Sequence, residues 1–174
     1  MSRLNYFLIL LFSISCLSLH GQDFPTTEKE FAQQYRKNIR KTRLNGVYIP
    51  SDIKDAMVQL EKKTQVDALE KFKNAPVEEV APKLHFGIGR WMIVNWNFDE
   101  GSRLSHKLVK MGVTNPDDMA QFLIVSFHKH LNGQDLDIEE RAQKYVDAKK
   151  RKQEEERQNG TRETISVKKI EKKN

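Results

Sequence analysis

The chain has 174 residues, 38% of them hydrophobic and 31% charged, with a formal net charge of +6. That size and balance exclude a disordered chain and a multidomain assembly, and allow one folded domain with a core of its own. The location of the charge argues against a nucleic-acid-binding body: residues 146–174 hold ten Lys/Arg against six Asp/Glu, whereas residues 22–145 hold 19 against 18.

In chain order, the first element is a targeting segment. Arg3, the apolar run from Tyr6 to Leu19 and the pair Gly21-Gln22 form the charged, apolar and cleavage regions of a secretory signal peptide. The run is shorter than the roughly 18 residues that span a bilayer. Cleavage after Gly21 predicts a mature chain from Gln22, exported to the periplasm or the extracellular space. Lipidation of Cys16 is the rival route: Ser15 suits it, but Ser13 stands where a Leu is usual. Cys16 is the only cysteine, so cleavage after Gly21 removes disulfides, thiol nucleophiles and thiolate metal sites together.

Thr27-Glu28-Lys29-Glu30 is a capping box and predicts a helix to about Arg43, with Phe31, Tyr35 and Ile39 as its apolar stripe. Asn45-Gly46 breaks it, and Val47-Tyr48-Ile49-Pro50 is extended. Ser51 then caps a helix with Ile53, Ala56, Met57 and Leu60 on its core face. Thr64 and Asp67 open a short helix carrying Val66, Leu69 and Phe72, which Asn74-Ala75-Pro76 ends.

Residues 84–98 (LHFGIGRWMIVNWNF) are the most apolar stretch after the signal. They contain good strand formers, yet no hairpin partner lies nearby, so helix is the preferred reading; Gly87 and Gly89 mark a close helix–helix contact or a break. Ser102 starts a helix with Leu104, Leu108 and Met111 that Gly112 stops, and Asn115-Pro116-Asp117-Asp118 starts another. The latter has Met119, Phe122, Leu123, Ser126, Phe127, His130 and Leu131 on its periodic face and closes at Asn132-Gly133. Asp137 and Glu140 suggest a capping box for a last, charged helix toward Arg157, with the final fifteen or so residues frayed.

The whole reads as all-α: a single compact domain of about five to seven helices with a long charged C-terminal helix and tail. It divides into a signal peptide (1–21), an N-terminal amphipathic helix (22–45), a helical domain (46–145) and a charged extension (146–174).

No phosphate-binding loop, nucleophile elbow or paired-histidine metal motif is present, so no cofactor or metal is expected. His128 and His130 point roughly 200° apart on a helix, and a metal would need ligands from elsewhere. A polar site could be assembled from His85, Asp117, Asp118 and His130, although acidic residues at 117 and 118 also suit a helix N-terminus without any chemistry. The best binding material is Arg90, Trp91, Trp96 and Arg103, since Trp and Arg favour recognition surfaces. Trp91 and Trp96 lie about 140° apart on a straight helix, which would let one reach the surface, but both packing in the core is the preferred reading.

From Tyr48 to about Tyr145 the chain resembles an uncharacterised family of small bacterial proteins, often with export signals. The resemblance rests on Tyr48-Ile49-Pro50, the H-F-G-x-G-x-W segment from His85 to Trp91 with Asn95-Trp96, Gly101 to Leu104, Pro116 to Met119, and His128 to Gly133. It implies one compact, mostly helical domain and no particular activity. The residues and the resemblance together predict an exported, non-enzymatic binding domain for a protein or peptide partner, with neither nucleic acid nor a membrane span. A small extracytoplasmic hydrolase with a His/Asp site is the alternative.

Overall fold

The computed structural model describes residues 25–171. The expected signal segment, its expected cleavage point at Gly21-Gln22 and the alternative lipid site at Cys16 lie outside them. The described residues are mostly helical, and none of their helices is long and apolar enough to cross a membrane.

The first helix, α1 (Glu28–Asn38), starts as its sequence predicts: Thr27 takes the Glu30 amide and the Glu30 carboxylate returns to the Thr27 amide. It ends five residues earlier than periodicity alone suggests. The chain instead turns into a hairpin of β1 (Arg43–Leu44) and β2 (Val47–Tyr48), with Arg43 opposite Tyr48 and Leu44 opposite Val47. Asn45 and Gly46 sit at φ +49 and +78, the left-handed pair that a two-residue hairpin loop requires. Asn-Gly is therefore a hairpin turn here as well as a helix stop. Tyr35 ties α1 to the body: its hydroxyl lies 2.9 Å from His106 Nδ1, and its ring covers Gly101, where φ +90 and the packed ring both exclude a Cβ.

Helix α2 (Ile53–Lys63) is capped by Asp52 rather than Ser51, with the Asp52 carboxylate accepting from the Asp55 amide. Its predicted core residues, Ile53, Ala56, Met57 and Leu60, are all buried. Helix α3 (Val66–Asn74) buries Phe72 against Phe127 and leaves Val66 exposed. Residues 77–95 form one helical path: α4 (Val77–Leu84), a π-helical turn (His85–Gly89) and α5 (Arg90–Asn95). The preferred helical reading of this apolar stretch is thus what the structure contains.

Helix α6 (Arg103–Lys110) starts at Ser102, whose box partner is Ser105, and ends before Gly112 at φ +96. Helix α7 (Pro116–Leu131) is the axis of the fold. It packs against α2, α3, α4, the π-helical turn, α5, α6 and the last helix, α8 (Ile138–Glu171). Neighbours on so many sides bury Met119, Ala120, Phe122, Leu123, Ile124, Ser126 and Phe127, more of its circumference than one apolar stripe would cover.

Two corrections concern α8. Asp137 sits at φ +45 with its carboxylate 2.6 Å from Lys129 Nζ, and Glu140 pairs with Lys144, so these two acids do not make the expected reciprocal box. The stretch expected to fray is helical through Glu171. The helix is anchored by Arg141, which donates to the Phe122 carbonyl (2.7 Å), the Leu136 carbonyl (3.0 Å) and the Ser126 hydroxyl (2.9 Å) while lying over the Phe122 ring.

Candidate functional site

The π-helical turn has local causes. Pro82 in α4 has no amide to donate, and Gly87 and Gly89 tolerate a widened backbone. Gly89 faces α7 so closely that a Cβ would stand 3.3 to 3.6 Å from His85 Nδ1, Ile124 Cδ1 and Ala120 Cβ. Close approach on the inside leaves the outer side of the turn to project. Phe86 is 85% exposed there, an unusual position for a Phe, and its edge contact is with the His85 ring at 5.5 Å.

Phe86, Arg90 and Val94 follow at four-residue intervals and form one outward ridge, with Val94 61% exposed. Arg90 makes no hydrogen bond or ion pair among the described residues. Beside the ridge is a groove of about 350 Å3 lined by Leu60, Lys63 and Thr64 at the end of α2 and by Gly87, Ile88 and Trp91. Trp91 is half-buried, with Lys63 Nζ over its ring at 5.3 Å. Thr64 donates its hydroxyl to the Leu60 carbonyl at 2.7 Å, and Lys63 is the charged residue among those that line the groove.

The other two expected binding residues hold the scaffold. Trp96 is fully buried, edge-on to Trp91 at 5.6 Å, and its indole N–H has no hydrogen-bond partner among the described residues. It backs Trp91 from inside, so the two tryptophans divide as one core and one surface residue. Arg103 donates from Nε (2.8 Å) and Nη2 to the Ile49 carbonyl and lies over the Tyr48 ring. Its guanidinium joins the start of α6 to the exit of the hairpin.

The polar set divides three ways. His85 Nε2 meets Asp117 Oδ1 at 3.2 Å, with Asp117 largely exposed. Asp118 instead lines a second cavity of about 540 Å3 with Gly112, Thr114, Tyr145 and Lys149. Burial and then the neighbouring Asp117 charge push its carboxyl above the ordinary range, and burial followed by Asp118 does the same to the Tyr145 phenol. His130 is elsewhere, 3.5 Å from Glu61. Neither His85 nor Asp117 lines either cavity. Among the described residues, no three His, Cys, Asp or Glu side chains converge as a metal site.

The sequence places Arg90 and Trp91 together; Phe86, Val94, Ile88 and Lys63, which the fold brings beside them, are not singled out by it. The 86/90/94 spacing was a usable signal once helix was chosen for that stretch. Lys63 was not findable, because only the packing of α2 beside the π-helical turn brings it to Trp91.

No curated protein and no solved structure matches this chain. Residues 49–131 match the model of a family described as Domain of unknown function (DUF6794), a span that begins at the carbonyl held by Arg103, ends with α7 and contains the whole ridge and groove.

Proposed function

We propose that this chain is an exported, non-enzymatic interaction domain whose contact surface is the Phe86–Arg90–Val94 ridge with the adjoining Trp91 groove, and that its partner is a protein or peptide. The carrying observation is Phe86. A large aromatic side chain held out in solvent, between an Arg without a partner among the described residues and an aromatic groove, contributes little to folding and has the composition of a recognition hot spot. Trp96 and Arg103 support that surface from behind by fixing Trp91 and the α6 start.

The test is affinity capture with the mature chain from Gln22 as bait; its intact mass, taken from the extracytoplasmic fraction, also checks the export. Phe86→Ser combined with Val94→Ser should abolish retention of the wild-type partner and leave the melting temperature within about 2 °C, since exposed substitutions stay within about 0.5 kcal/mol. Undiminished capture by the double variant would remove the surface from consideration.

The hydrolase alternative draws on one contact, the 3.2 Å His85–Asp117 pair, which has the geometry of a base and its orienting carboxylate. It gains nothing from Asp118 or His130, which sit in other surroundings.

A further inference from the structure

We infer that the occupant of the Trp91 groove is an acidic peptide segment bearing one bulky apolar side chain, which fills the groove while flanking carboxylates meet Lys63 and Arg90. This rests on the ridge and groove being the binding surface. A groove of about 350 Å3 accommodates an apolar anchor with some flanking backbone, and its walls of Leu60, Ile88 and Trp91 select an apolar one.

Charge selects the flanks. Among the described residues no carboxylate lines the groove, and its cation, Lys63, stands over the Trp91 ring without an ion pair. Glu61, two positions earlier, faces His130 at 3.5 Å and does not line the groove. Arg90 is likewise partnerless, between two exposed apolar side chains on the ridge. An arriving carboxylate finds two cations without an ion pair among the described residues, one of them over an aromatic face; an arriving ammonium would meet repulsion from both. A nucleic acid fits less well. Its phosphates need a run of cations, and the body from 22 to 145 is close to neutral.

The experiment titrates the full mature chain, following tryptophan emission, with capped Trp-free octapeptides: one Phe flanked by Glu, the same peptide with Lys for Glu, and the Glu peptide with Ala for Phe. An oligothymidine is the fourth ligand. The Glu-flanked Phe peptide should bind saturably, at least about tenfold tighter than the other three, and weaken as salt rises. Lys63→Glu with Arg90→Glu should lower its affinity about tenfold or more. Should that double variant fail to fold, the Lys-flanked peptide and the salt series still decide. Equal or tighter binding of the Lys peptide or the oligothymidine, or no binding of the Glu peptide, overturns the acidic occupant and leaves the surface to its own capture test. Binding of the Glu peptide that survives both Phe86→Ser and Trp91→Ala would put the contact elsewhere and overturn both.

Discussion

Arg90 and Arg103 flank the same aromatic stretch, and residue type alone makes them equivalent. Their surroundings do not. Arg103 gives two hydrogen bonds to the Ile49 carbonyl and covers Tyr48, whereas Arg90 points to solvent beside Phe86 and Val94. Removing a charged donor from a part-buried carbonyl costs about 1–3 kcal/mol, and near 4 °C of melting temperature per kcal/mol is the scale for a domain of this size. Arg103→Ala should therefore lower the melt by several degrees while Arg90→Ala leaves it unchanged. A thermal melt of the two variants side by side checks this; equal shifts would mean that Arg90 also has a structural role. Binding separates them in the other sense, with Arg90→Ala losing affinity at an unchanged melt.

Legibility at the level of elements followed how local each cause is. Thr27 with Glu30, Ser102, and Asn115 with Pro116 start helices by contacts within one turn, and each stands where the sequence puts it. The Asn45-Gly46 turn was equally local, but its hairpin went unread because the strands it joins are two residues each. The π-helical turn was hidden for another reason: Gly87 and Gly89 permit it, but the press of Ala120 and Ile124 from α7 accompanies it only in the folded chain. Helix α8 divides by the same logic. Ala142 is buried, Val146 packs against Gly112, and Lys149 reaches Thr114, after which residues 150–159 are exposed. Truncation after Arg157 should leave the melting temperature unchanged within about 2 °C, whereas Arg141→Leu should cost about 2–3 kcal/mol by stripping the donor from the Phe122 carbonyl and Ser126 hydroxyl. A large fall on truncation would show that the outer part of α8 docks on the body.

Over the whole molecule, one central helix collects its neighbours and thereby decides what reaches the surface together. The all-α class was readable from caps and periodicity. The candidate site was readable only in part: Arg90 and Trp91 are adjacent in sequence, but Lys63 reaches Trp91 only through the fold, and His85, Asp118 and His130 part company for the same tertiary reason. The central claim is that partners meet this chain on the ridge and groove. The measurement that tests it most directly is amide hydrogen exchange of the chain from Gln22 onward with and without its captured partner or the Glu-flanked Phe peptide. Slowed exchange concentrated in residues 60–64 and 85–95, with α8 and α1 unaffected, is the predicted result. Protection confined to the cavity between Thr114 and Tyr145, or spread evenly over the domain, would contradict it.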